Sequence, residues 1–217
     1  MQIQFDAYIT QRLFARSFQE IFLLLEHYEV DQEEVIKIMQ KKLWKDFVWN
    51  IDLFRIIDEI GFSKINKALS SKSPPLLKRL IDHNWERGFY PHNDSGNHSG
   101  VQEVLKVWYP ERKNMDAKEF AERIVSVFLV EALLMVSDGI DRYEIDKTMA
   151  ALSFPCGGPL HTIDYITPQV LMNNMINWYG KKDPDPKKRD MIMIAPEYCP
   201  SLLQRYGHPS SGPIFGM

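Results

Sequence analysis

Apolar positions recur at three- and four-residue spacing along most of this chain. From Tyr8 to His27, Leu13, Phe14, Phe18, Ile21, Phe22 and Leu25 fall on one side, which predicts an amphipathic helix. Asp31 followed by Glu34 marks the start of a second helix with Val35, Ile38 and Met39 on its core face. After Trp44, Phe47, Val48 and Trp49, the spacing predicts a third helix over Leu53–Ile60, with Gly61 as its C-cap. Ile65 and Leu69 predict a short fourth helix, and Pro74 and Pro75 open a fifth over Leu76–Ile81. Residues 91–100, PHNDSGNHSG, are polar, contain glycine and follow no period, so they read as a loop.

The pattern then returns. Val101–Tyr109 predicts a short helix and Ala117–Ser137 a long apolar one. Asp141 with Glu144 opens another, ending near Ala151. Pro155, Gly157, Gly158 and Pro159 follow, a cluster that a helix interior does not tolerate, so the chain must turn tightly there. Pro159 suits the first position of the next helix, which places Leu160, Ile163 and Ile166 on one side, with His161 and Asp164 off it. Such an elbow is either a packing device or the lip of a pocket. Pro168–Tyr179 reads as a further helix, 180–189 as a charged, proline-broken loop, and Leu202–Tyr206 as a short helix opened by Pro200. No stretch alternates as a strand does, so the expected class is all-α.

The two halves align with each other. Arg12, Glu20, Glu34, Lys37, Met39, Asp58, Ile60, Pro74 and Leu76 face Arg123, Glu131, Glu144, Lys147, Met149, Asp164, Ile166, Pro200 and Leu202. The expectation is two five-helix repeats, 1–95 and 96–217, packed as a pseudo-two-fold pair. Composition narrows the function little. Net charge is -3 and the pI about 6.1, which gives no bulk attraction to nucleic acid or an anionic membrane. Two cysteines, Cys156 and Cys199, are too few for a disulfide framework and point to reducing cytoplasm. The start, MQIQFDAYITQR, does not read as a signal peptide, and the apolar run Ile124–Val136 is shorter than the about 18 residues of a membrane span.

Residues 131–166, EALLMVSDGIDRYEIDKTMAALSFPCGGPLHTIDYI, resemble the C-terminal all-α domain of the 3-hydroxyacyl-CoA dehydrogenases. That family shows a Glu-Ala pair on a helix, an acidic-led Asp-Lys-x-Met helix, a Gly-Pro elbow, and a helix carrying Asp-Tyr-Ile or similar. The segments 12–39, 51–61 and 74–90, the last closing on Gly88-Phe89-Tyr90, resemble a second copy. Two tandem copies with a tail ending in Phe215-Gly216 are similar to the C-terminal part of multifunctional fatty-acid β-oxidation proteins.

The resemblance implies a substrate-binding and dimerisation-type portion of an oxidoreductase that oxidises 3-hydroxyacyl-CoA to 3-oxoacyl-CoA with NAD. NAD would sit on a separate or missing Rossmann domain, because no Gly-x-Gly-x-x-Gly between a strand and a helix is present, so this chain would bind no cofactor and be inactive alone. The family's His–Glu pair belongs to that domain too. One family site residue, an Asn before the Arg of the first long helix, falls on Gln11 in the first copy and Glu122 in the second. Arg12 beside it, and Gly158 and Pro159 at the elbow, are the implied substrate-binding residues. The first copy has Asp52-Leu53 where the elbow would be. Acyl-CoA and an NAD-binding partner domain or chain are the implied partners. A non-catalytic helical interaction module derived from the fold is the alternative.

Other polar residues have plainer readings. His161 and Asp164 share a helix face and could meet an acyl-CoA pocket, or Asp164 could accept backbone donors. Glu20 and Glu131, inside the most apolar helices, are expected on the solvent side or capping a loop, with a raised pKa if buried and unpaired. His83, His92, Asp94 and His98 offer metal-ligand types without metal-ligand spacing, so a metal hydrolase is a weak third reading. Cys156 reads as a small buried residue rather than a reactive thiol, and the lysines around 181–188 as a solvated loop rather than a CoA-phosphate contact. The five tryptophans read mostly as core between the repeats, with any exposed ones marking a surface for the absent domain.

Overall fold

The computed structural model describes residues 4–5, 7–41, 43–44, 47–85, 88–90 and 100–166. The described residues are mostly helical, with nine α-helices: α1 Tyr8–His27, α2 Gln32–Lys41, α3 Leu53–Ile60, α4 Phe62–Leu69, α5 Pro75–Asp82, α6 Val101–Trp108, α7 Ala117–Ser137, α8 Arg142–Ala150 and α9 Pro159–Ile166. Two short 3-10 turns lie at Ser70–Lys72 and Pro155–Gly157. A two-residue parallel pairing joins β1 (Tyr28–Glu29) to β2 (Lys113–Asn114). None of the described helices is long and apolar enough to cross a membrane. Residues 91–99 of the loop read over 91–100, the helices read over Pro168–Tyr179 and Leu202–Tyr206, and the charged loop 180–189 lie outside the described residues.

The chain divides into two compact units, Met1–Ile124 and Val125–Met217. In the first, α1 packs on α4 and α5, and α3 on α4. Its apolar face buries Leu13, Phe14, Phe18, Ile21, Phe22 and Leu25, the positions that the spacing picks out. Phe89 is the hub of an aromatic cluster, with ring centroids 5.0 Å from Phe54, 6.0 Å from Phe22 and 6.2 Å from Phe62. It is held there by Asp58 on α3. That carboxylate accepts from the backbone N–H of Phe89 at 2.7 and 2.9 Å and of Tyr90 at 3.0 Å. Gly88 precedes it with φ +63°, and a Cβ there would lie 2.5 Å from the Asp58 carboxyl. Asp52 caps α3, accepting from Arg55 N–H at 3.0 Å, and its second oxygen accepts from the Tyr90 hydroxyl at 2.6 Å. Burial and then Asp52 push the Tyr90 phenol up from its ordinary pKa.

In the second unit α8 and α9 pack on each other and on the 3-10 turn between them. Asp141 caps α8, accepting from Glu144 N–H at 3.0 Å. The cores of α7, α8 and α9 include Phe128, Leu129, Ile145, Met149, Leu160 and Ile163. Phe128 stacks on Phe154 at 5.2 Å, just before the elbow.

Candidate functional site

Three places carry the chemistry picked out by the sequence: the first turns of α1, the first turns of α7, and the elbow before α9. The α1 site starts bare. Its N-cap, Ala7, offers no side-chain hydrogen bond, and no acidic residue stands in the first turn. These first amide groups lie at the positive end of a 20-residue helix. Tyr8 is 57% exposed, and Arg12 Nη1 donates to its hydroxyl at 3.0 Å one turn on. Gln11 lies between them, half-buried.

The α7 site is built differently. Asp116 accepts from the N–H groups of Lys118 and Glu119 at 3.0 Å each, which starts the helix. Glu122 then faces Trp44, whose Nε1–H donates to Oε1 at 3.2 Å, and Lys118, whose Nζ is 3.8 Å away. The Glu122 side chain is 21% exposed. Burial pushes its carboxyl up from the ordinary value of 4.5, Lys118 and Trp44 draw it down, and Asp116 and Glu119 add to the rise. A folded pKa above the unfolded one means that the folded chain holds a proton in that window and the unfolded chain does not. Glu122 therefore costs stability above its folded pKa, and this cost fades as pH falls toward 4.5. Glu122→Gln, which keeps an acceptor for Trp44, is expected to be the more stable protein at pH 7. Its advantage should shrink as pH falls, as read from urea melts over a pH series. An advantage independent of pH would contradict the burial of this carboxyl.

The next residue is a correction to the sequence reading. Glu20 is not on the solvent side: it is 5% exposed, and Arg123 holds it with Nη2 2.7 Å and Nε 3.2 Å from the same carboxylate oxygen. Glu131 is also buried, at 2% exposed. The arginine on Glu20 comes from α7, 103 residues away in the sequence. Burial pushes the carboxyls of Glu26, Glu122 and Asp146 upward.

The elbow is locked from α8. Asp146 Oδ1 accepts from Leu160 N–H at 2.8 Å, at the start of α9, and Arg142 Nε stands 4.0 Å from Oδ2. Gly158 sits against the same carboxyl, where a Cβ would overlap Asp146, at φ +139° and ψ 170°. Pro159 begins the helix, and Thr162 Oγ1 donates to the Gly158 carbonyl at 2.9 Å and the Pro155 carbonyl at 3.3 Å. Cys156 takes φ +57° in the turn and is partly exposed rather than buried. His161 is exposed. The side chain of Asp164 lies outside the described residues, but its aligned partner Asp58 is an acceptor for backbone donors.

The remaining readings are quickly placed. His83 Nδ1 lies 2.9 Å from the Arg79 carbonyl, and its ring packs at a tilt 4.9 Å from Trp108. His92, Asp94, His98, Cys199, Trp178 and the lysines at 181–188 fall outside the described residues. Among the described residues no group of three or more His, Cys, Asp or Glu could hold a metal. Trp49 is buried, while Trp44, Trp85 and Trp108 are half-buried. The sequence reading missed Trp44 as the partner of Glu122 and Asp146 as the lock of the elbow. The first left no signal. The second did, since Asp146 lies in the acidic-led helix just before the glycines. The described residues do not fit NAD: their only parallel pairing is two residues long, too short to carry a glycine-rich phosphate turn.

Residues 120–198 match the family model of the 3-hydroxyacyl-CoA dehydrogenase C-terminal domain. The resemblance read from the sequence holds for this segment, which contains Glu122, Arg123, Asp146, Gly158 and Pro159. No NAD-binding domain is matched. No curated protein matches the chain.

Proposed function

We propose, taking residues 120–198 as a 3-hydroxyacyl-CoA dehydrogenase C-terminal domain, that this chain is the substrate-side portion of such an enzyme in two copies, 1–95 and 96–217. Its role is to wall an acyl-CoA and to present it to an NAD-binding domain or partner chain. In the parent reaction the C3 hydride of a 3-hydroxyacyl-CoA goes to NAD, and the hydroxyl proton goes to a base, leaving the 3-oxoacyl-CoA. This chain supplies neither the nicotinamide site nor the base, so it binds without turning over. The observation that carries this reading is the family match together with the Asp146–Leu160 lock, which holds the Gly158-Pro159 elbow and the start of α9 in one place.

On this reading the acyl-CoA lies along the first turns of α1. Gln11 supplies the amide nearest in kind to the family's Asn, and Arg12 the charge beside it. Gly158 and Pro159 shape the corresponding edge of the second copy. Gln is longer than Asn by one methylene, which displaces a positioned hydrogen bond and favours binding over catalysis. Arg12→Ala is expected to weaken acetoacetyl-CoA binding roughly tenfold, the loss of one charge-assisted contact. Calorimetric titration checks this, and unchanged affinity in Arg12→Ala would remove the α1 edge from the site. A second reading, a helical interaction module without ligand, is favoured by one observation: Glu122 stands where the family has Asn and is engaged by Trp44.

A further inference from the structure

The two positions that align with the family's Asn are in different states. On α1, Gln11 is half-buried between the exposed Tyr8 and the half-buried Arg12. On α7, Glu122 is engaged by a side chain from the segment between α2 and α3. Trp44 places its indole N–H on Oε1 at 3.2 Å. That indole is itself fixed: its ring centroid is 5.2 Å from Phe47, and Trp44 and Phe47 form an antiparallel backbone bridge, with Phe47 N–H donating to the Trp44 carbonyl at 3.2 Å. Phe47 is buried, so the bridge anchors a half-buried tryptophan to the core. An acyl-CoA laid along the first turns of α7 would have to displace this ring and strip a carboxylate of its hydrogen bond. It would also bring its phosphates toward Asp116, Glu119 and Glu122, with Lys118 the one opposing charge among these α7 residues.

We infer that Trp44 closes the α7 edge from within the chain, so that of the two copies only the α1 edge takes acyl-CoA. This rests on the acyl-CoA reading proposed above. The chain is then a one-site binder built from two related halves, and the 43–49 segment is its internal plug. Opening the plug exposes a second, weaker edge.

The test uses the full-length chain and acetoacetyl-CoA as the probe. Calorimetry on the intact chain is expected to give a single site that Gln11→Ala weakens and Glu122→Asn does not. Trp44→Phe combined with Glu122→Asn removes the donor and the charge but keeps an aromatic ring on Phe47, and it should raise the stoichiometry toward a second site. Two sites in the intact chain would overturn the inference. So would a roughly tenfold loss in Glu122→Asn with Gln11→Ala unchanged, and so would a stoichiometry that stays single in the double variant. Acrylamide quenching, with the Trp44→Phe protein as the blank that isolates the Trp44 signal, decides the matter separately from ligand binding. If no acetoacetyl-CoA binds, the proposed function fails, yet a protected Trp44 that becomes several-fold more quenchable in Glu122→Ala upholds the plug (roughly the change from a half-buried to an exposed indole). A Trp44 as accessible as free indole in the intact chain overturns it.

Discussion

Arg123→Met is expected to destabilise the protein by about 3–5 kcal/mol, the largest effect of any single substitution considered. The guanidinium and the Glu20 carboxylate are both 7% exposed, and two N–H groups of Arg123 reach one carboxylate oxygen. Removing the arginine takes away a guanidinium 2.7 Å from a buried carboxylate, a penalty much larger than the value of a surface pair. Removing both charges is a different matter. Glu20→Leu with Arg123→Met replaces the pair by side chains of similar bulk in an apolar setting, and most of the loss should return. Urea unfolding followed by circular dichroism, with a double-mutant cycle, measures both. A single variant within about 0.5 kcal/mol of the parent would mean that water screens the pair. The pair also ties α1 to the start of α7 across 103 residues of sequence, so its loss should loosen the α1 edge on which acyl-CoA binding is proposed.

Gly158→Ala is the second large effect, with an expected cost of about 3 kcal/mol. Two independent causes add. The backbone at φ +139° and ψ 170° lies in a region that is essentially glycine's alone, worth on the order of 1–3 kcal/mol for any side chain. The new Cβ would also overlap the Asp146 carboxyl, forcing it off Leu160 N–H, and a crowded methyl in a packed site costs about 1–3 kcal/mol. The cycle separates the causes. In an Asp146→Ala background the overlap is gone and only the backbone cost remains, while Asp146→Ala alone costs about 1 kcal/mol as a lost helix cap. Equal costs of Gly158→Ala in both backgrounds would show that the carboxyl is not what the glycine makes room for.

Much of the helical framework was legible because it rests on local rules. The three- and four-residue spacing and the caps placed α1, α3 and α7 at the bounds they have, and Asp31, Asp52 and Asp141 each accept from an N–H three residues on. The elbow was legible as a turn, since glycine and proline restrict the backbone whatever surrounds it. Gly157 and Gly158 allow a positive φ or a close approach, and both take the positive φ, but Ser153 and Cys156 take it as well, which only the completed turn between α8 and α9 dictates. What failed was every feature set by distance along the chain. The Glu20 partner lies 103 residues away and the Glu122 partner 78, and no period in the sequence connects them. Reading Glu20 against its own helix therefore gave the wrong surroundings. The parallel pairing of Tyr28–Glu29 with Lys113–Asn114 is two residues long, too short to leave an alternation.

On the proposed two-copy reading, the elbow before α9 aligns with the start of α3, and the two helix starts are held in two ways. In the second copy, Asp146 on the preceding helix serves the start of α9, and a glycine is required to let it in. In the first, Ile36 occupies the aligned place on α2, and Asp52 caps α3 directly while anchoring Tyr90. The loss of Gly-Pro at Asp52-Leu53 is thus accompanied by a different cap rather than by a bare helix end. The same substitution of roles extends to Gly88, which makes room for Asp58 as Gly158 does for Asp146.

The central claim is that this chain holds an acyl-CoA without performing the hydride transfer. The most direct measurement adds acetoacetyl-CoA and NADH to the purified chain and follows heat of binding and NADH absorbance together. The account predicts saturable binding of acetoacetyl-CoA with no consumption of NADH. Steady oxidation of NADH by the chain alone would contradict the absence of a nicotinamide site and base, and a flat titration would contradict the substrate role itself.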